Sequence, residues 1–287
     1  MKNIKHKLVL ILLVLFPLLI AGCWYEDKIY IKKNKIIIQG ENYIENEDSL
    51  VIEPGTTVEF RYSGRLWFIY FEFAHYPTLT VRNGGVIIAQ GTAENPIYIN
   101  SYDYDQGEIY ITDSNSQENY FKYCDFSNIW LLSMGNSKVI IENCKFNNGD
   151  GRIGLGGRED YQNEFAYNYV ICGTYGGVGV GHNTYVAYNN FVDGNVCFAN
   201  VDNLGSNYYP DIRYNNITGS PRAAVILTPQ VIPPQENTVL DHLVIHYNYI
   251  ANCNGKTGVD TDGSQCGEYV THSDPRTEPV ESAGPGW

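Results

Sequence analysis

Positive charge is scarce in this chain: 19 Lys and Arg stand against 32 Asp and Glu, a formal net charge of −13. That balance argues against a nucleic-acid partner or an anionic lipid surface, since both need a positive face. It permits cations instead, and calcium in particular, which takes hard oxygen ligands. No stretch after the first 22 residues sustains a 3.6-residue period or an apolar run of membrane length, which excludes a helical bundle or a second membrane segment. No Cys-x-x-Cys occurs and the histidines are scattered, so a structural zinc site is not expected. What remains is a chain of short strand-like runs broken by Asn, Gly and Asp, with 24 Tyr and 28 Gly, and this reads as all-β.

Lys2, Lys5 and Lys7 precede Leu8 to Ile20, which is apolar apart from Pro17. At 13 residues this run is short for a membrane span and fits the core of a signal peptide. It ends in Ile20-Ala21-Gly22-Cys23, which resembles the lipobox of bacterial lipoproteins. The resemblance implies that residues 1–22 are removed and that Cys23 carries fatty acyl chains such as palmitate. Each buried CH₂ contributes about 0.8 kcal/mol, so two or three chains would hold the protein firmly in a membrane of the cell envelope, outside the cytoplasm. The 19 basic residues less those three lysines leave 16 against 32 acidic ones, so the mature chain, residues 23–287, has a net charge of −16.

A six-residue phrase recurs along the middle of the chain. It appears as Phe121-Lys-Tyr-Cys124-Asp-Phe126, Ile141-Glu-Asn-Cys144-Lys-Phe146, Phe165-Ala-Tyr-Asn168-Tyr-Val170, Val186-Ala-Tyr-Asn189-Asn-Phe191, Ile212-Arg-Tyr-Asn215-Asn-Ile217 and Ile245-His-Tyr-Asn248-Tyr-Ile250. The shared form is apolar-x-Tyr-(Asn/Cys)-x-apolar, and Asn143 is the one departure at the Tyr position. Such a phrase suits a coil of stacked parallel strands: an inward apolar residue, a sharp turn at Asn in the left-handed region, and a second inward residue. Stacked coils lie about 4.8 Å apart, so the Asn amides are expected to hydrogen-bond along the stack. Simple alternation puts the Tyr on the core side, packed at the corner. A β-sandwich would not repeat one phrase six times.

Two further stretches, Ser49 to Phe60 and Leu79 to Ile97 with its Gly91-Thr-Ala-Glu-Asn-Pro-Ile97, resemble the opening coils of pectate-lyase-like right-handed β-helix proteins. The resemblance covers about residues 45 to 252 and implies an all-β, right-handed parallel β-helix solenoid; it carries no catalytic residues. The expected organisation is a signal peptide at 1–22, a lipid-anchored tether at 23–44 with one strand at Lys35–Gln39, the β-helix at 45–252, and a cap with a flexible tail at 253–287. Inserts between phrases, at 148–163, 173–184, 194–210 and 219–242, should emerge on one face and form the binding surface.

That face and its margins supply the candidate residues. Arg152, Arg158, Asp160, His182 and Asp193 are the catalytic candidates, because lyases of this fold use a basic residue with a carboxylate-held cation, and hydrolases use clustered Asp. Asp150, Glu159, Asp202 and Asp211 are candidates for binding. Gly181-His182-Asn183 resembles the Gly-His-Gly of polygalacturonases, but that family's Asn-Thr-Asp and Asp-Asp elements do not appear in the expected order. Asp260-Thr-Asp262-Gly263 is half of a calcium loop, and adventitious turn chemistry fits it better. Cys253 and Cys266 would close a short loop as a disulfide worth about 3 kcal/mol. The expected function is non-catalytic binding of polysaccharide or of a surface protein by a monomeric envelope lipoprotein. A polysaccharide lyase or glycoside hydrolase and a structural spacer are the alternatives.

Overall fold

In a run such as Lys138–Glu142, Val139 and Ile141 are buried while Lys138, Ile140 and Glu142 are half-exposed, which is the alternation of a strand with one inward face. The computed structural model describes residues 29–32, 34–62, 77–101, 107–114, 118–135, 137–147, 152–156, 161–171, 177–181, 183–198, 210–220, 225–227, 244–253 and 276–287. Among them no helix occurs, and the strands form three sheets. Sheet A stacks Ile29–Lys32, Ser49–Ile52, Val86–Gln90, Glu118–Lys122, Lys138–Glu142, Asn163–Ala166, Thr184–Ala187, Asp211–Arg213 and Val244–His246. Sheet B stacks Lys35–Gln39, Thr57–Arg61, Ile97–Ser101, Cys124–Ser127, Lys145–Asn147, Tyr169–Ile171, Asn190–Val192, Asn216–Thr218 and Tyr249–Ala251. Sheet C stacks Glu41–Ile44, Thr78–Val81, Gly107–Thr112, Ile129–Met134, Arg152–Leu155, Gly177–Val180, Asn195–Phe198 and Val225–Leu227.

The chain visits A, B and C in turn, and each strand pairs in parallel with the strands three before and three after it. Among the described residues this path makes eight full turns and the first two strands of a ninth, compatible with a parallel β-helix solenoid. Among the described residues the sheets start at Ile29, and Ile29–Lys32, Lys35–Gln39 and Glu41–Ile44 form the first coil; of the three, only Lys35–Gln39 was legible as a strand. Sheet C runs through each expected insert, near the middle of the first two and near the start of the last two. The inserts are therefore divided between the two ends of sheet C instead of following one corner, the longest lying between sheets C and A at 199–210 and 228–243.

The core is the inward row of every strand. Phe60, Phe121, Phe126, Phe146, Phe165 and Phe191 are fully buried, each contributing about 1.5–3 kcal/mol by leaving water. In sheet B, register aligns Phe126 with Phe146, then Val170, Phe191 and Ile217 up the stack. The rings of Phe126 and Phe146 stack at 4.5 Å. Gly91 opens the arch between sheets A and B in the third coil. Its N–H donates to Lys122 O at 2.8 Å, and a Cβ there would sit 2.5 Å from Tyr123 O, so no larger residue fits beneath the next corner.

Asn168, Asn189, Asn215 and Asn248 are fully buried and form the expected ladder. The backbone N–H of Cys144, Asn168, Asn189 and Asn215 donates in each case to the side-chain Oδ1 of the Asn one coil on, at 2.8–2.9 Å. Each Nδ2 reaches back to a carbonyl, as Asn215 does to Val186 O at 2.9 Å and Asn248 to Ile212 O at 2.9 Å. The ladder thus carries hydrogen bonds through a corner where the backbone leaves the sheet. It continues into the cysteines, with Cys124 N–H 3.4 Å from Cys144 Sγ. Both thiols are free and buried, and burial pushes the Cys124 thiol well up.

Candidate functional site

In five of the six phrases the left-handed turn at the A–B corner is made by the Tyr and not by the Asn that follows it. Tyr123, Tyr167, Tyr188, Tyr214 and Tyr247 hold φ between 50° and 58°, and Asn143 takes the same place at 52°. The turn breaks strand alternation, so the Tyr points out and the Asn after it points in. This corrects the corner-packed Tyr and the left-handed Asn that simple alternation predicts. A bulky residue in this region costs on the order of 1–3 kcal/mol, and the same strain recurs in successive coils.

What the tyrosines do first is stack. Tyr167 and Tyr188 lie 5.0 Å apart at 3°, Tyr188 and Tyr214 5.2 Å at 10°, and Tyr214 and Tyr247 5.2 Å at 11°. Tyr167 and Tyr247, at the two ends, are 37 % and 39 % exposed. Each stacked pair contributes about 0.5–1.5 kcal/mol, which offsets part of the backbone strain. Because the rings face one another, the column offers its edges and hydroxyls to a ligand along its flank, and ring faces only at its ends.

The outward row of sheet A adjoins this column. Tyr120 donates its hydroxyl to Glu142 Oε2 at 2.8 Å, and Lys122 Nζ lies 3.3 Å from the same carboxylate. Burial and that carboxylate push the Tyr120 phenol well up. Glu164 stands one coil beyond, in register with Ile140 and Tyr185, and its carboxyl is raised by burial and by the nearby Glu142. Tyr185 is followed in register by Asp211, which Arg213 holds through Nε at 2.6 Å. Together these groups make one ridge of carboxylates, phenols and a guanidinium on coils four to eight. It can accept and donate many hydrogen bonds at coil spacing.

No family model, curated protein or solved structure matches this chain.

The ridge includes one residue anticipated as a ligand contact, Asp211. Asp193 is exposed at the B–C corner, a different edge of the coil, with its N–H on Thr218 O at 2.9 Å. The backbone of Arg152 opens a strand of sheet C. Asp150, Arg158, Glu159, Asp160, His182, Asp202, Asp260 and Asp262 lie outside the described residues, as do Cys23 and Cys266; Cys253 is half-buried with a free thiol. Among the described residues no group of three or more His, Cys, Asp or Glu converges on a metal position. Sequence reasoning passed over Tyr120, Glu142, Glu164 and Tyr185, although their alternation with Phe121, Ile141, Phe165 and Val186 already puts them outside.

Proposed function

We propose that this chain is a cell-envelope lipoprotein, anchored by acyl chains on Cys23, whose right-handed parallel β-helix of pectate-lyase-like type is a non-catalytic module for a neutral polysaccharide. The strained, exposed tyrosine column beside the carboxylate ridge carries this reading. A glycan presents a row of hydroxyls, and carboxylates and phenols repeated at one coil spacing are suited to meet them. The net charge of −16 on residues 23–287 works against acidic glycans unless a cation such as calcium bridges them.

A glycoside hydrolase is the second reading, favoured by one observation: Glu164 stands on the ridge with its carboxyl raised by burial and by the nearby Glu142, as a general acid would need. Residues 24–287, with and without calcium, would be passed over neutral and acidic polysaccharides while retention and released reducing or unsaturated ends are read. The module reading expects retention on a neutral glycan, lost in Glu164→Gln with Asp211→Asn, and no released ends. Released ends abolished by Glu164→Gln would replace it with the hydrolase. No retention on any glycan would leave a surface protein as ligand or a spacer role, and would refute the reading. Cys23→Ser should move the full chain from the membrane to the aqueous fraction; retention in the membrane would refute the lipid anchor.

A further inference from the structure

We propose that the outer margin of sheet B is a peptide-recognition groove, and that a second copy of this chain can fill it with its Arg276–Trp287 segment. In the structure the groove holds the chain's own segment, which the sequence reads as a flexible tail. Arg276–Trp287 instead runs across the coils, from the ninth back to the fifth. Arg276 N–H donates to Asn248 O at 3.1 Å, and Arg276 makes a parallel bridge with Tyr249.

Two side-chain amides then read the segment's backbone. Asn216 Oδ1 accepts from Val280 N–H at 2.7 Å, and Asn216 Nδ2 donates to Val280 O at 3.1 Å. Asn190 Nδ2 donates to Ala283 O at 2.8 Å, and Asn216 Nδ2 also reaches Asn190 Oδ1 at 2.6 Å, fixing the pair. Gly284 N–H donates to Tyr188 O at 2.7 Å with φ +93°, and a Cβ there would come within 2.4 Å of Asn190 Nδ2, so the groove selects glycine at this point. Val280 is buried against the wall.

The segment finishes in an aromatic slot. Asn143 is the one phrase without a tyrosine, so the column lacks a ring at the fifth coil. Trp287 brings an indole to that level: its Nε1–H donates to Asn143 O at 2.6 Å and its ring meets Tyr123 edge-on at 6.3 Å. The Lys145 ammonium lies 3.7 Å from the ring centroid. A carbonyl for the indole N–H, a cation on the ring and an aromatic edge make a recognition site for tryptophan.

None of these contacts depends on which chain supplies the segment. Residues 254–275 number 22 and could span at most about 80 Å, while cis docking places Arg276 beside Tyr249, one strand spacing away. The connection is therefore long enough to reach a neighbouring molecule, and exchange of an identical element between copies is a low-cost route to association. The chain's own segment competes at an effective concentration on the order of millimolar, so exchange becomes visible once it is weakened.

Two full-length variants test this. One carries Asn190→Ala and Asn216→Ala, with an intact segment and a damaged groove. The other carries Trp287→Ala, with an intact groove and a damaged segment. Each alone should sediment as a monomer, and the equimolar mixture should form a one-to-one complex that free peptide 276–287 dissolves. Labelled peptide 276–287, titrated into the Trp287→Ala chain, should bind saturably, and about tenfold more weakly when the peptide itself carries Trp287→Ala. Peptide binding without a complex in the mixture would overturn the second copy as occupant. No saturable peptide binding by a Trp287→Ala chain of unchanged circular dichroism would overturn the groove itself.

Discussion

Replacing Asn215 with Ala takes one rung out of the internal amide ladder. Asn215 is fully buried; its Oδ1 accepts from Asn189 N–H and Asn189 Nδ2, each at 2.9 Å, and its Nδ2 donates to Val186 O and Asn248 Oδ1, each at 2.9 Å. Truncation removes the side-chain partners of Asn189 N–H and Val186 O where water cannot replace them. A buried group left unsatisfied costs about 1–3 kcal/mol, so the substitution should destabilise by about 2–5 kcal/mol. Domains are stable by only about 5–15 kcal/mol, so the loss is a large fraction of the total. A coil array need not unfold in one step, so the local readout matters more than the global midpoint. Amide hydrogen exchange of the Asn215→Ala chain should accelerate over residues 184–192 and 211–218 and stay unchanged over residues 86–101. Asn147→Ala, exposed at the end of its strand, should change stability by no more than about 0.5 kcal/mol. If Asn215→Ala matched Asn147→Ala in urea midpoint and left Asn189 exchange unaltered, the ladder would not be what holds the corner.

Phe146→Ala removes a ring stacked on Phe126 and packed against Phe165, and should cost about 3–5 kcal/mol in urea unfolding. Glu164 is raised in the folded state, so the native chain binds more protons than the unfolded one across the window from the ordinary carboxylate range up to the raised value. Its contribution to stability therefore falls as pH rises through that window, and unfolding curves should show Glu164→Gln flattening this decline; an unchanged slope would refute the assignment. Cys124 and Cys144 should resist iodoacetamide until the protein unfolds, with Cys253 modified in the native state, as mass mapping of labelled peptides would show.

The repeated phrase determined a great deal by itself. Its inward apolar pair and buried Asn predicted parallel stacking and an amide ladder, because one side chain per coil at one spacing has few other uses. Lys35–Gln39 was also legible as a strand. Sheet C was not, because Arg152–Leu155, Gly177–Val180 and Asn195–Phe198 share no phrase and the Gly residues of the first two imitate turns. The outward direction of the tyrosines was decided by the fold alone: a left-handed residue flips the alternation, and stacking across coils offsets part of the strain at Tyr167, Tyr188, Tyr214 and Tyr247. Most of all, the place of Arg276–Trp287 depended on tertiary structure. Pro, Gly and Ser predict an unfixed tail when read in sequence, whereas Asn190, Asn216 and the empty position at Asn143 come together as its seat only once the coils are stacked.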